Sequence, residues 1–110
     1  EIHKDDIGTG FIATITECVN DVDVALDISS ASSMVIVFKK SDGVVESHTA
    51  AFTTVGSGGA GDGTDGKISY FSILGDLDVT GTYKLQGIVT TPSGKWSSEI
   101  KSFKVISNLL

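Results

Sequence analysis

Residues 63–105, GTDGKISYFSILGDLDVTGTYKLQGIVTTPSGKWSSEIKSFKV, decide the fold of this chain. Apolar and polar residues alternate through residues 82–90, a Thr-Pro-Ser-Gly turn follows at 91–94, and a second alternating run starts at Trp96. Two alternating runs joined by a short turn are typical of a long antiparallel β-hairpin. The chain is therefore predicted to be all-β.

Similar strand patterns, separated by turn residues, occur along the rest of the chain. They cover residues 10–17, 22–28, 34–39, 44–54 and 67–72. Together with 82–90 and 96–105 they make about seven short strands in 110 residues, which is typical of an immunoglobulin-like antiparallel β-sandwich. A small β-barrel is the alternative. The length favours a single domain, residues 1–110.

The alternation also predicts which side chains are buried. It is clearest in residues 22–28, where the aliphatic face should be buried while Asp21, Asp23 and Asp27 face water. Residues 34–39 are apolar on both faces and are predicted to lie inside a sheet. The predicted core consists of Ile15, Leu26, Ile36, Phe38, Ile68, Tyr83, Leu85 and Phe103.

Two irregular features are expected. The final strand changes its apolar phase between Trp96 and Phe103, which predicts a β-bulge near Lys101-Ser102. Residues 56–66 contain six glycines and few side chains to bury, so a flexible surface loop is predicted there.

The charge balance excludes two classes of partner. The chain has 14 acidic and eight basic residues, a formal net charge of −6, and its lysines are scattered. Nucleic acids and anionic membranes both require clustered cations. No nucleic-acid or membrane partner is therefore expected.

Cys18 is the single cysteine, so no disulfide can form within the chain. Independence from disulfides is typical of a reducing compartment. Residues 1–6 are polar and lack the pattern of a signal peptide. We therefore expect a cytoplasmic origin.

Residues with catalytic or metal-binding potential are few. Neither His3 nor His48 is followed by a His, Cys or Glu two or four positions later, so no histidine metal site and no cofactor are expected. The GDGTDG segment around Asp62 and Asp65 resembles a calcium loop but lacks the closing glutamate, which favours a glycine turn. No G-x-S-x-G motif is present, and no catalytic residue is expected.

Trp96 is the one candidate for a partner or ligand contact. A tryptophan on a sheet can stack against a sugar, or it can lie at the rim of the core with its indole N–H hydrogen-bonded to a carbonyl. The sequence favours the rim of the core, and carbohydrate binding is the alternative.

Five blocks of the sequence, in order, resemble one family. They are IHKDDIGT (2–9), IVFKKSDG (36–43), DGTDGKISY (62–70), GDLDVTGTYKLQ (75–86) and TPSGKWSSEIKSFKV (91–105). These blocks resemble the immunoglobulin-like domains of tailed-bacteriophage structural proteins, in particular the N-terminal domain of baseplate upper proteins and its small stand-alone relatives.

The resemblance implies a non-enzymatic virion component. It would be a head decoration or cement protein, the base of a head fibre, or a tail or baseplate accessory subunit, with other phage structural proteins as partners. A homo-oligomer within the particle is also compatible with this reading. The alternatives are a carbohydrate- or receptor-binding module on the virion surface and an immunoglobulin-like domain of a bacterial cell surface.

Overall fold

The computed structural model describes residues 2–107, which form eleven strands and one short 3-10 helix, Val55–Ser57. The strands are β1 (Ile2–His3), β2 (Gly10–Thr14), β3 (Thr16–Val19), β4 (Val22–Ala25), β5 (Ser33–Lys39), β6 (Val45–Thr49), β7 (Ala51–Phe52), β8 (Lys67–Phe71), β9 (Gly81–Thr91), β10 (Gly94–Ser97) and β11 (Lys101–Ile106). Within the described range, no helix is long and apolar enough to cross a membrane. The all-β prediction is confirmed.

The larger sheet is organised around β9, the longest strand. Along one edge β9 pairs antiparallel with β5, and along the other it pairs with β10 and then with β11. The sheet is extended by β6 beyond β5 and by a short parallel pairing of β1 beyond β11. The prediction that β5 lies inside a sheet is confirmed.

A second, antiparallel sheet has the order β2-β8-β7, and β3 and β4 form a separate two-stranded hairpin. The two larger sheets contribute buried side chains to a common core, which gives the molecule a β-sandwich character. Phe11 of the second sheet, for example, packs against Phe38 and Phe103 of the larger sheet, with ring centroids 5.0 and 4.8 Å apart.

The predicted core is largely confirmed. Ile15, Ile36, Phe38, Ile68, Tyr83 and Leu85 are buried, whereas Leu26 and Phe103 pack against the core while remaining partly exposed. Further buried apolar residues are Phe11, Ala13, Ile28, Ala50, Leu77, Val89 and Val105. Six of the eight predicted residues are therefore buried. Of the seven that were missed, four lie in strands and three, Ile28, Ala50 and Leu77, lie between strands.

The described residues form eleven strands because three of the seven predicted strands are divided and β1 is added. The first division is at Ile15, between β2 in the second sheet and β3 in the hairpin. The next is at Ala50, between β6 in the larger sheet and β7 in the second sheet. At these two positions the chain changes sheet, which an uninterrupted strand could not do.

The third division is the bulge in the final strand, which lies earlier than Lys101-Ser102. Three residues, 98–100, face only residues 86 and 87 of β9. The backbone N–H of Ser98 donates to the carbonyl of Gly87, and the Gly87 N–H donates to Ser98 Oγ, both at 2.8 Å. The irregularity thus lies directly before Lys101, close to the predicted position, and the Ser98 hydroxyl makes a hydrogen bond where the ladder breaks.

The β3–β4 hairpin corrects the prediction for residues 22–28. Its two-residue turn, Asn20-Asp21, has positive φ at both positions (51° and 64°), as a type I′ turn requires. Val22 and Val24, predicted to be buried, are 59% and 46% exposed, whereas Ile28 lies beyond the strand and is buried. The alternation is real, but within the described residues β3 and β4 pair only with each other, and their valine face is left exposed.

Residues 56–66 are more closely packed than predicted. Gly63 and Gly66 are buried, the Gly66 carbonyl accepts from Ile15 N at 2.7 Å, and the Gly63 carbonyl accepts from Ile28 N at 2.9 Å. A Cβ on Gly66 would collide with the carbonyl oxygen of Ile15. Seven of the eleven residues are exposed, as expected of a surface loop, but Gly63 and Gly66 add close backbone contacts that the sequence did not predict. The flexibility of the loop stays a prediction.

Phe38→Ala is expected to lower the free energy of unfolding by roughly 3–5 kcal/mol, because the ring is fully buried and its removal leaves a cavity. Val45→Ala on the neighbouring β6, where the side chain is 60% exposed, serves as the control and should change stability little. Denaturant unfolding of both variants measures the difference. Equal stability of the two variants would contradict the assigned core.

Gly66→Ala is expected to lower the free energy of unfolding by about 1–3 kcal/mol or more. An alanine is strained at φ 74°, and its Cβ would also collide with the backbone carbonyl oxygens of Ile15 and Leu26. Gly56→Ala is the matched control, since a Cβ there meets nothing within 4 Å. Thermal melts should separate the two variants. If both melt like the parent, the close approach at Gly66 is not real.

Candidate functional site

Trp96 lies on β10 at the edge of the core. Its side chain is partly buried, packs against the core, and stands opposite Val89 of β9. The end of its indole ring covers the backbone of Gly94, where an added Cβ would be 3.1 Å from the ring. A contact of Trp96 with a partner or ligand stays a prediction.

The Asp62 and Asp65 carboxylates serve the glycine-rich turn. Asp62 Oδ1 accepts from the N–H and the hydroxyl of Thr64, at 3.1 and 2.8 Å. Asp65 accepts from Ala60 N at 2.8 Å and from Lys67 N at 3.1 Å. The hydrogen bonds from Thr64 lower the pKa of Asp62. Such contacts are typical of a glycine turn, which the sequence analysis favours over a calcium loop at this position.

A group of ionisable side chains that the sequence did not bring together lies between the two larger sheets. We call it the Lys40 cluster, and its members are Lys40, Glu46, His48, Tyr70, Asp76 and Asp78. Alternation along β6 directs Glu46 and His48 to the same side of the strand. Tyr70 comes from β8, and the two aspartates come from the turn between β8 and β9.

Lys40 is the positive centre of the cluster. Its side chain is only 4% exposed, and its Nζ lies 2.7 Å from Asp78 Oδ1, 3.2 Å from Glu46 Oε1 and 3.1 Å from the Gly75 carbonyl oxygen. Burial alone would lower the pKa of Lys40, but the hydrogen bonds to Asp78 and Glu46 raise it above its usual value. Lys40 therefore remains charged at neutral pH.

Asp76 is the most buried carboxylate of the cluster, with a side chain 5% exposed. Its Oδ2 accepts hydrogen bonds from the Tyr70 hydroxyl at 2.5 Å and from Ile73 N at 2.8 Å. Burial, together with the hydrogen bond to Asp76, raises the pKa of Tyr70 above its usual range. The phenol therefore stays protonated and acts as a donor to Asp76.

His48 faces both carboxylates. Its Nε2 lies 3.5 Å from Glu46 Oε2 and 3.5 Å from Asp76 Oδ1. The imidazole stacks on the Tyr70 ring at a centroid distance of 4.6 Å and meets the edge of Phe38 at 5.3 Å. These rings fix the orientation of the imidazole, so that one nitrogen and two oxygen donor atoms converge on one point.

The sequence contained part of this signal. Glu46 precedes His48 by two positions, and a strand places such residues on the same side. Spacing counted from each histidine toward the C-terminus does not include this pair. Asp76 belongs to a distant turn, and no local spacing connects it with β6. The expectation that His48 lacks companions is therefore corrected by the structure.

The exposed hairpin is a second feature of interest. Val19 pairs with Val22, and Glu17 pairs with Val24, so that three valines share one face of the hairpin. Val19, Val22 and Val24 are all more than 40% exposed. Cys18 lies on the opposite face as a free, exposed thiol.

No protein-family model matches the chain, and no curated protein matches it.

The ion pair between Lys40 and Asp78 should make stability depend on pH. The hydrogen bond from Lys40 lowers the pKa of Asp78, so the contribution of Asp78 is present above its unfolded pKa of about 4 and is lost as the pH falls through the lower folded value. Asp78→Asn should therefore be less stable than the parent at pH 7. The difference should be under about 1 kcal/mol because the Asp78 side chain is 49% exposed.

Denaturant unfolding from pH 7 to pH 2 tests this expectation, and the gap between parent and Asp78→Asn should close below about pH 4. Asp23→Asn, which removes the same charge from the hairpin, controls for the change in net charge. A gap that persists unchanged at pH 2 would contradict the assignment.

Proposed function

We propose that this chain is a non-enzymatic structural protein of a bacteriophage virion that acts through protein–protein contacts. It would serve as a head decoration or cement protein, the base of a head fibre, or a tail or baseplate accessory subunit. The five sequence blocks that resemble phage immunoglobulin-like domains support the proposal, as does the all-β, two-sheet architecture. The immunoglobulin-like topology is part of the same proposal.

The exposed valine face of the β3–β4 hairpin is the observation that carries the proposal. Val19, Val22 and Val24 are 42%, 59% and 46% exposed, and they lie side by side on a two-stranded sheet. An exposed β-edge with an apolar face is a site where another chain can pair and bury surface. A subunit that functions by being built into a particle needs such a surface rather than an active site.

The charge around the hairpin indicates the kind of partner. Glu17, Asp21 and Asp23 belong to the hairpin or its turn, and residues 16–25 contain no lysine. A protein surface with an apolar centre and a basic rim would match both the valines and these acids. Other phage structural proteins are the partners proposed, with assembly in the host bacterial cytoplasm and the virion as the final location.

The carbohydrate- or receptor-binding alternative depends on Trp96. Its ring is partly buried against the core, so only part of its surface is open to a sugar. The sequence resemblance and the hairpin both favour the structural role. Glycan binding by the parent that is lost in Trp96→Ala would favour the alternative.

The double variant Val22→Thr/Val24→Thr tests the hairpin as the assembly contact. Threonine preserves the β-branched shape, so the fold should be retained, but the hydroxyls make the contact polar. We expect incorporation into purified particles to fall at least about tenfold, since two buried valines contribute more than 1.4 kcal/mol. Incorporation is measured by quantifying the chain in particles assembled with either version.

Val44→Thr/Val45→Thr is the matched control, because these valines are also exposed (47% and 60%) but lie at the β5–β6 turn. Its incorporation should equal that of the parent. Absence of the parent chain from purified particles would overturn the virion role. Equal incorporation of both double variants would overturn the hairpin contact alone.

A further inference from the structure

We propose that Glu46, His48 and Asp76 form a binding site for a divalent transition-metal ion, with zinc as the best match. One donor atom from each residue, His48 Nε2 and two carboxylate oxygens, lies within 4.8 Å of the others. The Nε2 atom is 3.5 Å from each facing oxygen. A tetrahedral zinc ion with bonds of about 2.0–2.2 Å holds its ligand atoms about 3.3–3.6 Å apart.

The buried Nε2 atom of His48 points to a missing ligand. Among the described residues it has no hydrogen-bond partner, although its accessible surface is below 1 Å². A buried polar atom without a partner carries a desolvation penalty that a bound ion would remove. The stacking on Tyr70 and the edge contact with Phe38 keep this nitrogen directed at the carboxylates.

The other oxygen of each carboxylate is already held by the protein. Glu46 Oε1 contacts Lys40 Nζ at 3.2 Å, and Asp76 Oδ2 accepts from Tyr70 and from the Ile73 N–H. Contacts of this kind orient metal-binding carboxylates and leave one oxygen for the ion. Glu46 Oε2 and Asp76 Oδ1 are the oxygens that remain, and they are the ones that face His48.

The charge of the cluster also favours a divalent ion. Three carboxylates, on Glu46, Asp76 and Asp78, share the single ammonium of Lys40, which leaves a formal charge of about −2 when His48 is neutral. A divalent ion would balance this charge. It would also use the imidazole nitrogen as a ligand.

The donor set favours zinc over calcium or magnesium. Imidazole nitrogen is a ligand for zinc and related transition metals, whereas calcium requires six to eight oxygens and magnesium a near-octahedral oxygen shell. Three protein ligands leave a fourth position for water. The ion would connect β6 in the larger sheet to the turn that follows β8, and so would stabilise the folded chain.

The test is isothermal titration of the metal-stripped full chain with Zn²⁺, in a Cys18→Ser background so that the thiol does not contribute. We expect binding of one ion per chain and a rise in melting temperature of about 10 °C when zinc exceeds its dissociation constant 100-fold. Mg²⁺ and Ca²⁺ at the same concentration should have little effect.

His48→Gln should weaken zinc binding at least about 100-fold, and Tyr70→Phe, which keeps the ring but removes the donor to Asp76, should weaken it about 10–100-fold. His3→Gln is the matched control and should bind like the parent.

If His48→Gln fails to fold, the ¹⁵N resonance of His48 Nε2 in the His3→Gln protein must shift on addition of zinc. The site would be overturned if the parent does not bind one zinc ion per chain, or if His48→Gln binds zinc as tightly as the parent. It would also be overturned if the Nε2 resonance does not move. None of these outcomes bears on the proposed virion role, which depends on the hairpin.

Discussion

The fold depends on a close approach of the two larger sheets at Gly87, in the middle of β9. A Cβ at this position would lie 2.8 Å from Ala13 Cβ and 3.0 Å from Ile68 Cδ1, both of which belong to the second sheet. The missing side chain lets that sheet lie directly against β9. On the side of β9 that pairs with β10 and β11, Gly87 also exchanges hydrogen bonds with Ser98. The bulge between β10 and β11 therefore lies at the point where the two sheets meet.

The burial of Lys40 imposes a second constraint, and the candidate metal site follows from it. An ammonium that is almost fully buried must be neutralised and hydrogen-bonded, which gathers Glu46, Asp78 and the carbonyl of Gly75 around it. The turn between β8 and β9 is thereby held against β6. Asp76 of that turn consequently faces His48 of β6, although the two residues are far apart in the sequence.

The sequence predicted what depends on local pattern and missed what depends on the surroundings of a strand. Alternation identified β9, its hairpin with β10, and buried residues such as Tyr83. The same rule assigned the valines of β4 to the core, because alternation distinguishes two faces but does not show which face another layer covers. The Lys40 cluster was missed because it joins residues from separate elements, and only the Glu46–His48 pair had a local signature.

The acidic residues of the hairpin affect which kind of surface its exposed valine face would suit. Glu17 stands opposite Val24 on that face, and Asp21 lies in the turn at its end. Two hairpins brought together from two copies would place these like charges close to one another, which disfavours self-association through this edge. A basic partner surface gains attraction from the same charges while the valines supply apolar contact. If the chain is built into a symmetric particle, as proposed, each contact is repeated, so that a hairpin of three valines would suffice where a single isolated contact of this size would be weak.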